Sequence, residues 1–386
     1  MPGRPSRARW GVIAVAALIA TGAGAAIAVG CSPRADPGAT PSPSGAAAAS
    51  ETPFAWAASK CRPARGTWAV GRWPSACWRP YSSRSPFNRS IRAHPRLLPG
   101  WRGIVRRFSR LPSVALTAGA DLERWGPPTY WPGRGDPVFR VHCTEPWGRC
   151  EVEGRRLRIP DAARAATGSD GHMTVVDQHG GWEYDFWRVQ RKPRGGGRLD
   201  VAWGGRTRID GDGLDSDATA ARFGNLAGAV RAEELAAGRI RHALFLTVPC
   251  DAGTWVYPAR KSGTSCAEDG ESNVDAPPMG ARFRLAMSSR EIARLAVPSW
   301  KKAVLRAMAR YGMYVGDTGG PTWAIEQEGS LTYTSFGRPD RAAAFARRIG
   351  APYDPGSRSW TLDLSSGVDW ARRLRVVHPC EARASC

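Results

Sequence analysis

The sequence predicts a mainly β, disulfide-bonded domain of the β-sandwich or jelly-roll type, with a few short helices. Short apolar stretches run throughout the chain and are interrupted by its 44 glycines and 31 prolines, which is typical of all-β sandwiches. The 17 tryptophans add a high aromatic load, and the cysteines fall in near pairs. The chain has no internal repeat, so we expect one β-rich main domain at residues 56–328 and a small C-terminal extension at residues 329–386.

The first thirty residues have the layout of a secretory signal peptide. Arginines precede an uncharged run from Gly11 to Gly30, and Cys31 follows it. The four residues that end at Cys31 resemble a bacterial lipobox, in which the cysteine is diacylated and becomes the new N-terminus. We therefore expect an exported lipoprotein on the outer face of the cell membrane, with plain extracellular secretion and an uncleaved anchor as the alternatives. Residues 31–55 are rich in Ala, Pro and Ser and are predicted to be a flexible tether.

The cysteines support export independently. Nine are present, and setting Cys31 aside for lipidation leaves an even number for disulfides. A zinc site is the alternative, but no Cys-x-x-Cys pair occurs, so no metal site is predicted. Such a disulfide framework belongs to an oxidising compartment. The predicted disulfides join Cys61 with Cys77, Cys143 with Cys150, Cys250 with Cys266, and Cys380 with Cys386.

The chain is strongly basic, with a formal net charge of +21. Arginine far outnumbers lysine, which suggests a high-GC genome such as that of an actinobacterium. For an exported protein, the expected partners of this charge are anionic lipid headgroups, phosphate-bearing wall polymers or acidic polysaccharides. Nucleic acid is therefore not predicted as a partner.

The clearest strand pair is predicted at residues 172–176 and 182–189. The first segment is β-branched and alternating, the second is aromatic, and turn residues separate them. Further strands are expected at residues 240–248, after a short helix, and at residues 281–286.

Helical signals follow the last of these strands. Ser288 and Glu291 have the spacing of a capping box, which predicts a helix start. A second helix is expected after Pro298, and an extended segment from Met313 follows it. The second helix carries an apolar stripe at helical spacing, which is interpreted as core: Trp300, Val304, Met308 and Tyr311.

The densest group of reactive side chains lies on the predicted hairpin. Successive side chains of a strand point to opposite faces, so Glu183, Asp185 and Trp187 share one face, and antiparallel pairing would bring Asp170 and His172 beside it. Carboxyls and a histidine supply the acid and base for glycosidic cleavage, and a tryptophan offers a surface for a sugar ring. We therefore assign Asp170, His172 and Asp185 as catalytic candidates and Glu183 and Trp187 as substrate-binding candidates. The structural alternative has these residues capping turns or pairing with backbone and arginines.

Four further residues complete the candidate set. His242 begins a predicted strand and Asp317 lies in a glycine-rich turn; both are catalytic candidates, with a satisfied buried histidine and a plain turn aspartate as the alternatives. Tyr257 and Arg282 are candidate substrate-binding residues.

No cofactor is predicted, with calcium as the alternative. Acidic residues alternate from Asp210 to Asp217 as they do in a calcium loop. The twelfth position, where an EF-hand has glutamate, is Ala221. An ordinary acidic loop is therefore the default interpretation.

Short segments between residues 80 and 325 form a recognisable succession: Cys143–Gly148, Ser169–Met173, Tyr184–Trp187, Gly238–Leu244, Pro277–Arg282 and Tyr311–Asp317. Together they resemble a group of exported, mostly uncharacterised bacterial proteins that is common in actinobacteria. In that group the aromatic strand more usually reads Tyr-Glu-Phe-Trp, so Asp185 stands as a shorter acid in the glutamate position. The resemblance implies an extracellular β-rich domain with a shared polar cluster.

These observations lead to two hypotheses of function. The first is a carbohydrate-active protein, a glycoside hydrolase or polysaccharide lyase, that acts on an extracellular polysaccharide. The second is a non-catalytic lipoprotein that binds a cell-wall polymer or glycan through its basic surface. Convergence of the candidate residues in one open site would favour the first hypothesis.

Overall fold

The computed structural model describes residues 78–111 and 115–383. The predicted signal peptide, the tether and Cys31 lie outside the described residues, as do Cys61, Cys77 and Cys386. The described part of the chain forms 14 strands in three sheets, together with short helices. The predicted mainly β class with a few short helices is confirmed.

The elements are numbered in chain order. The strands are β1 (Ala115–Gly119), β2 (Thr129–Tyr130), β3 (Val138–Cys143), β4 (Arg156–Arg158), β5 (Met173–Asp177), β6 (Trp182–Arg191), β7 (Gly197–Arg208), β8 (Leu244–Val248), β9 (Arg282–Leu285), β10 (Met313–Thr318), β11 (Ala324–Ile325), β12 (Tyr353–Asp354), β13 (Ser359–Asp363) and β14 (Leu374–Val377). The helices are a 3-10 turn (Pro86–Asn88), α1 (Trp101–Phe108), α2 (Ala120–Trp125), α3 (Ala232–Ala236), α4 (Ser289–Arg294), α5 (Ser299–Arg310), α6 (Leu331–Thr334), α7 (Arg341–Arg348), α8 (Trp370–Arg373) and α9 (Cys380–Arg383).

The six-stranded sheet has the strand order β2-β5-β6-β7-β3-β4. β5 and β6 form the predicted antiparallel hairpin, and β7 continues the antiparallel run. The pairs β2–β5 and β3–β7 are parallel, so the sheet is mixed. Alternation along the strands gives this sheet one apolar face, which is buried through Phe139, Val141, Met173, Val175, Phe186, Leu199 and Val201.

The five-stranded sheet has the order β11-β8-β10-β9-β14, with β8 and β10 parallel. The predicted strand at residues 240–248 begins only at Leu244, because Ala243 donates its backbone N–H to Phe87 instead. α4 begins at the predicted capping box, in which Ser288 Oγ accepts from the Glu291 N–H at 3.2 Å. The stripe predicted on α5 is buried in the main core.

The C-terminal residues contribute strands to two sheets. β14 pairs antiparallel with β9 and forms an edge of the five-stranded sheet. β13 pairs antiparallel with β1 and with β12 in the three-stranded sheet. Residues 329–386 therefore supply strands to sheets that also contain strands from earlier in the chain.

Two of the predicted disulfides form, Cys143–Cys150 and Cys250–Cys266. Cys380 is also disulfide-bonded. These bonds indicate an oxidising environment, as expected outside the cytoplasm. None of the helices in residues 78–111 and 115–383 is both long enough and apolar enough to cross a membrane.

Candidate functional site

The polar face of the hairpin is the starting point of the site. Thr174 of β5 lies opposite Asp185 of β6, and its Oγ1 donates to Asp185 Oδ1 at 2.9 Å. The register is therefore the one that places the polar residues of both strands side by side. Along β7, Gly205 stands opposite Asp185 and Trp203 stands opposite Trp187. The face thus has a carboxylate end and an aromatic end.

A loop at residues 210–226, called the covering loop below, packs on the carboxylate end. A Cβ atom on Gly205 would lie only 1.9 Å from the backbone nitrogen of Asp217, so the close approach of the loop requires glycine at this position. Ser216 Oγ donates to Asp185 Oδ2 at 2.6 Å, and the Asn225 N–H donates to the same oxygen at 3.3 Å. Asp185 is completely buried as a result.

Glu183 is sealed beneath the same loop. Its carboxyl accepts from Tyr81 Oη at 2.6 Å and from the Leu226 N–H at 2.9 Å. The position of a Cβ on Gly224 lies 2.7 Å from Glu183 Oε1, so the loop has no room for a larger residue there. Like Asp185, Glu183 has no exposed surface.

The two carboxyls are linked electrostatically. Burial raises the pKa of Asp185 to about 6. Burial, and then the charge of Asp185, raise the pKa of Glu183 well above its ordinary value. Glu183 therefore holds its proton more tightly than an exposed glutamate does. Because both groups are shielded from solvent, the predicted catalytic role of Asp185 and substrate-binding role of Glu183 do not fit; they stabilise the contact between sheet and loop.

The aromatic end of the face is open. Trp187 Nε1 donates to Asp170 Oδ1 at 3.3 Å, so these two predicted residues do come together. Trp147 lies between two other tryptophans, with ring centroids 5.6 Å from Trp187 and 5.7 Å from Trp203. Trp147 is 41% exposed, whereas Trp203 is only 7% exposed. We call Trp147, Trp187 and Trp203 the tryptophan group.

His172 lies directly behind Asp170. Its imidazole is hydrogen-bonded to the backbone of Phe186, and burial lowers its pKa despite the nearby Asp170. The ring is therefore neutral at physiological pH. Among the described residues, its Nδ1 is buried without a hydrogen-bond partner.

A second set of acids reaches the site from the five-stranded sheet. Asp317 of β10 and Ala324 of β11 both stand opposite Thr247 of β8, and Glu326 follows two residues after Ala324. All four residues are half-buried. Thr318 donates its backbone N–H to Asp317 Oδ1 at 2.8 Å. The sheet thus presents two carboxyls on one partly open surface.

Electrostatics links these acids to Asp170. Burial raises the pKa of Asp317 to about 6, and the charge of Asp170 adds to the rise. Burial raises the pKa of Glu326 to about 8, followed by the charges of Asp317 and Asp170. Since each of the three acts on another, Asp170, Asp317 and Glu326 form one group at the meeting point of the two larger sheets, called the carboxyl cluster below.

The covering loop connects the carboxyl cluster to the tryptophan group. Trp203 Nε1 donates to Asp217 Oδ2 at 3.2 Å, and Lys261 Nζ donates to Asp217 Oδ1 at 3.1 Å. The charge of Lys261 in turn acts on Asp317. Contacts therefore run from Asp170 through the tryptophans and Asp217 to Lys261, and the charge of Lys261 links them electrostatically to Asp317.

Two predicted residues lie elsewhere and have structural roles. His242 is buried, with Nε2 3.1 Å from Glu234 Oε1 and Nδ1 2.8 Å from the Ala243 carbonyl oxygen; the alternative of a satisfied buried histidine applies. Arg282 is also buried and donates to the carbonyl oxygens of Tyr311 and Arg89 at 2.9 and 2.6 Å. Neither contacts the carboxyl cluster, so their predicted catalytic and substrate-binding roles do not fit this structure.

Tyr257 also lies apart from the predicted site. It lines a separate cleft together with arginines. Tyr257, a candidate substrate-binding residue, is therefore not part of the site at the hairpin.

The acidic segment that resembled a calcium loop has its carboxyls directed to separate partners. Asp210 binds Arg208, Asp215 binds Arg260, and Asp217 binds Lys261. Elsewhere in the described residues, Cys250, Cys266 and Glu271 lie close enough to hold a metal ion. The two sulfurs are joined in a disulfide, so they are not thiolate ligands.

Sequence reasoning missed Glu326, Asp217 and two of the three tryptophans. The position of Glu326 near Asp317 follows only from the pairing of β11 with β8. Trp147 stands in a segment that the sequence singled out, but its contact with the hairpin requires the tertiary structure. Comparison of the chain with protein-family models, with curated proteins and with solved structures gave no match.

Proposed function

We propose that this protein is an exported carbohydrate-active enzyme, a glycoside hydrolase or polysaccharide lyase, whose site is formed by the tryptophan group and the carboxyl cluster. The observation that carries the proposal is an open tryptophan group that contacts Asp170, whose charge acts on the partly open carboxyls of Asp317 and Glu326. Sugar rings stack on aromatic faces, and carboxyl pairs supply the acid and base for cleavage of glycosidic bonds.

The two raised pKa values give the acids separate roles. With a pKa of about 8, Glu326 keeps its proton at neutral pH and is the proposed general acid for the glycosidic oxygen. With a pKa of about 6, Asp317 is mostly ionised and is the proposed base or nucleophile.

Export and lipid anchoring belong to the same proposal. The disulfides support an oxidising compartment, and the basic start followed by Gly30 and Cys31 supports a lipoprotein signal. Mass spectrometry of the native N-terminus tests this directly. A diacylated Cys31 is expected, and an unmodified chain that begins elsewhere would contradict anchoring while leaving secretion intact.

The activity is tested with the purified mature protein and a panel of plant and actinobacterial wall glycans, with released oligosaccharides detected by mass spectrometry. Glu326→Gln and Asp317→Asn should each abolish release, because each removes one of the proposed reacting groups. Asp269→Asn is the matched control, since Asp269 is an exposed acid outside the site. Equal loss in the control, or full activity in both site variants, would contradict the assignment.

A non-catalytic glycan-binding lipoprotein is the second candidate. The exposed Trp147 beside Trp187 favours it, because such a surface binds sugar rings without any chemistry. Retention of a glycan on a column of the wild-type protein, with no product released, would favour this candidate. Trp147→Ala should then abolish retention.

A further inference from the structure

A cleft outside the proposed glycan site is built almost entirely from arginines. Its volume is about 360 Å³, and three separate segments of the chain contribute to it. The lining residues are Arg84, Arg89, Tyr257, Arg260, Ala382 and Arg383. We call it the arginine cleft.

The positive charge of the arginine cleft is poorly compensated within the protein. Over residues 78–111 and 115–383, the side chains of Arg84 and Arg383 make no salt bridge and no hydrogen bond. Within the same residues, the Arg89 side chain donates to the carbonyl oxygen of Ala382, at 3.4 Å. Of the four arginines in the cleft, Arg260 has a carboxylate partner there, Asp215, at 3.2 Å.

Tyr257 holds two of these arginines over its ring. The guanidinium of Arg383 lies 4.5 Å from the ring centroid, and that of Arg260 lies 5.9 Å from it. Such stacking fixes the planar guanidinium group while leaving its N–H donors free for a ligand. The charge of the exposed Asp212 also acts on Tyr257. One aspartate does not neutralise four arginines, so the cleft keeps an excess of positive charge.

A second cleft also contains arginines but has a carboxylate in its lining. It has a volume of about 530 Å³ and is lined by Glu153 as well as by Arg140, Arg156 and Arg198. There, Arg198 binds Asp200 at 2.7 Å, and His142 lies 3.6 Å from Glu153. The six residues that line the arginine cleft include no carboxylate, so it is the stronger site for an external anion.

We propose that the arginine cleft binds the phosphate groups of an extracellular phosphodiester-linked polymer. Bringing four guanidinium groups together is unfavourable unless an anion neutralises them. A guanidinium fork matches the oxygens of a phosphate group. The successive phosphates of a polymer supply enough negative charges to pair with several arginines. A single carboxylate would leave most of them unpaired. The inference is independent of the proposed function, because the arginine cleft shares no residue with the glycan site.

The test measures binding of a fluorescently labelled glycerol phosphate oligomer by anisotropy. The double variant R84A/R383A should weaken binding about tenfold or more, because two charge-assisted contacts are lost. The control R290A/R306A removes the same charge from exposed positions on α4 and α5 and should change binding less than about twofold. The melting temperature of both variants is measured to establish that they are folded.

Competition identifies the ligand chemistry. Inorganic phosphate should displace the oligomer, and polygalacturonate at equal charge should displace it less effectively. Equal displacement by polygalacturonate, or equal weakening in the control variant, would overturn the proposal in favour of diffuse attraction. Binding to phosphatidylglycerol vesicles without binding to the oligomer would also overturn it, because the ligand would then be a membrane surface.

Discussion

At the scale of single residues, the buried Glu183–Asp185 pair makes stability depend on pH. The ordinary pKa of Glu183 is 4.5 and the folded protein raises it, so the folded state holds more protons than the unfolded state above that pH. The contribution of this pair to the free energy of unfolding should therefore be fully present below about pH 4. It should fall as pH rises through the raised pKa values.

Glu183→Gln tests this dependence. The amide keeps an acceptor oxygen toward Tyr81 and carries no titrating proton. Between pH 5 and pH 8 the variant should lose less unfolding free energy than the wild type, by about 1 kcal/mol or more. Urea unfolding at both pH values measures this difference, with Asp269→Asn as an exposed control. An unchanged pH dependence would show that the folded protein does not raise the pKa of Glu183.

The carboxyl cluster makes a second prediction, about catalysis. With Asp317 near 6 and Glu326 near 8, kcat/KM on a glycan substrate should be bell-shaped, with limbs close to those pH values. A pH–rate profile of the wild type measures these limbs. Asp317→Asn, which should abolish turnover, should also lower the pKa of Glu326, because the charge of Asp317 helps to raise it; NMR titration of the Glu326 carboxyl in wild type and variant measures that shift. A flat profile across this range would contradict the assigned roles.

Alternation along β6 predicted which residues share a face, and Thr174 beside Asp185 confirms the register. It could not predict burial, because Glu183 and Asp185 are covered by a loop more than twenty residues away in sequence. A strand pattern specifies the side of a sheet on which a residue lies, whereas the neighbour across that side is decided by tertiary packing. For this reason the strand pattern predicted that Trp187 and Asp185 share a face but did not predict the burial of Asp185.

At the scale of elements, the contact between β7 and the covering loop depends on glycine. Gly205→Ala would bring a Cβ to 1.9 Å from the backbone of Asp217. The loop must then move, at an expected cost of about 1 to 3 kcal/mol. Chemical unfolding followed by tryptophan fluorescence measures the loss. Gly135→Ala is the matched control, because a Cβ there meets nothing within 4 Å; an equally large loss in both variants would contradict the steric explanation.

The elements with strong local signals were predicted well. The hairpin and the capping box at Ser288 each depend on residues that are close in sequence, and both are confirmed. The parallel pairs β2–β5, β3–β7 and β8–β10 could not be predicted in this way. Parallel strands need long connections, so no turn signal marks which strands will meet.

At the scale of the whole molecule, the disulfides are expected to be required for stability. Replacing both Cys250 and Cys266 by alanine opens a loop with a sequence separation of 16, and the expected cost is about 3 kcal/mol. Thermal unfolding of the double variant should show a lower melting temperature than that of the wild type. Peptide mapping of the wild type without reductant should recover the 143–150 and 250–266 links. An unchanged melting temperature, or exchange of these partners, would contradict the prediction.

The late position of β14 and β13 affects the order in which the chain can fold. β9 acquires its antiparallel neighbour β14, and β1 acquires β13, only after nearly all of the polypeptide has been synthesised. Contacts between such distant segments form slowly, because a long loop must close before they are made. A nascent chain therefore lacks two of its sheet neighbours until its final residues emerge. For the export that we propose, this delay would leave the polypeptide incompletely folded until its last residues are made.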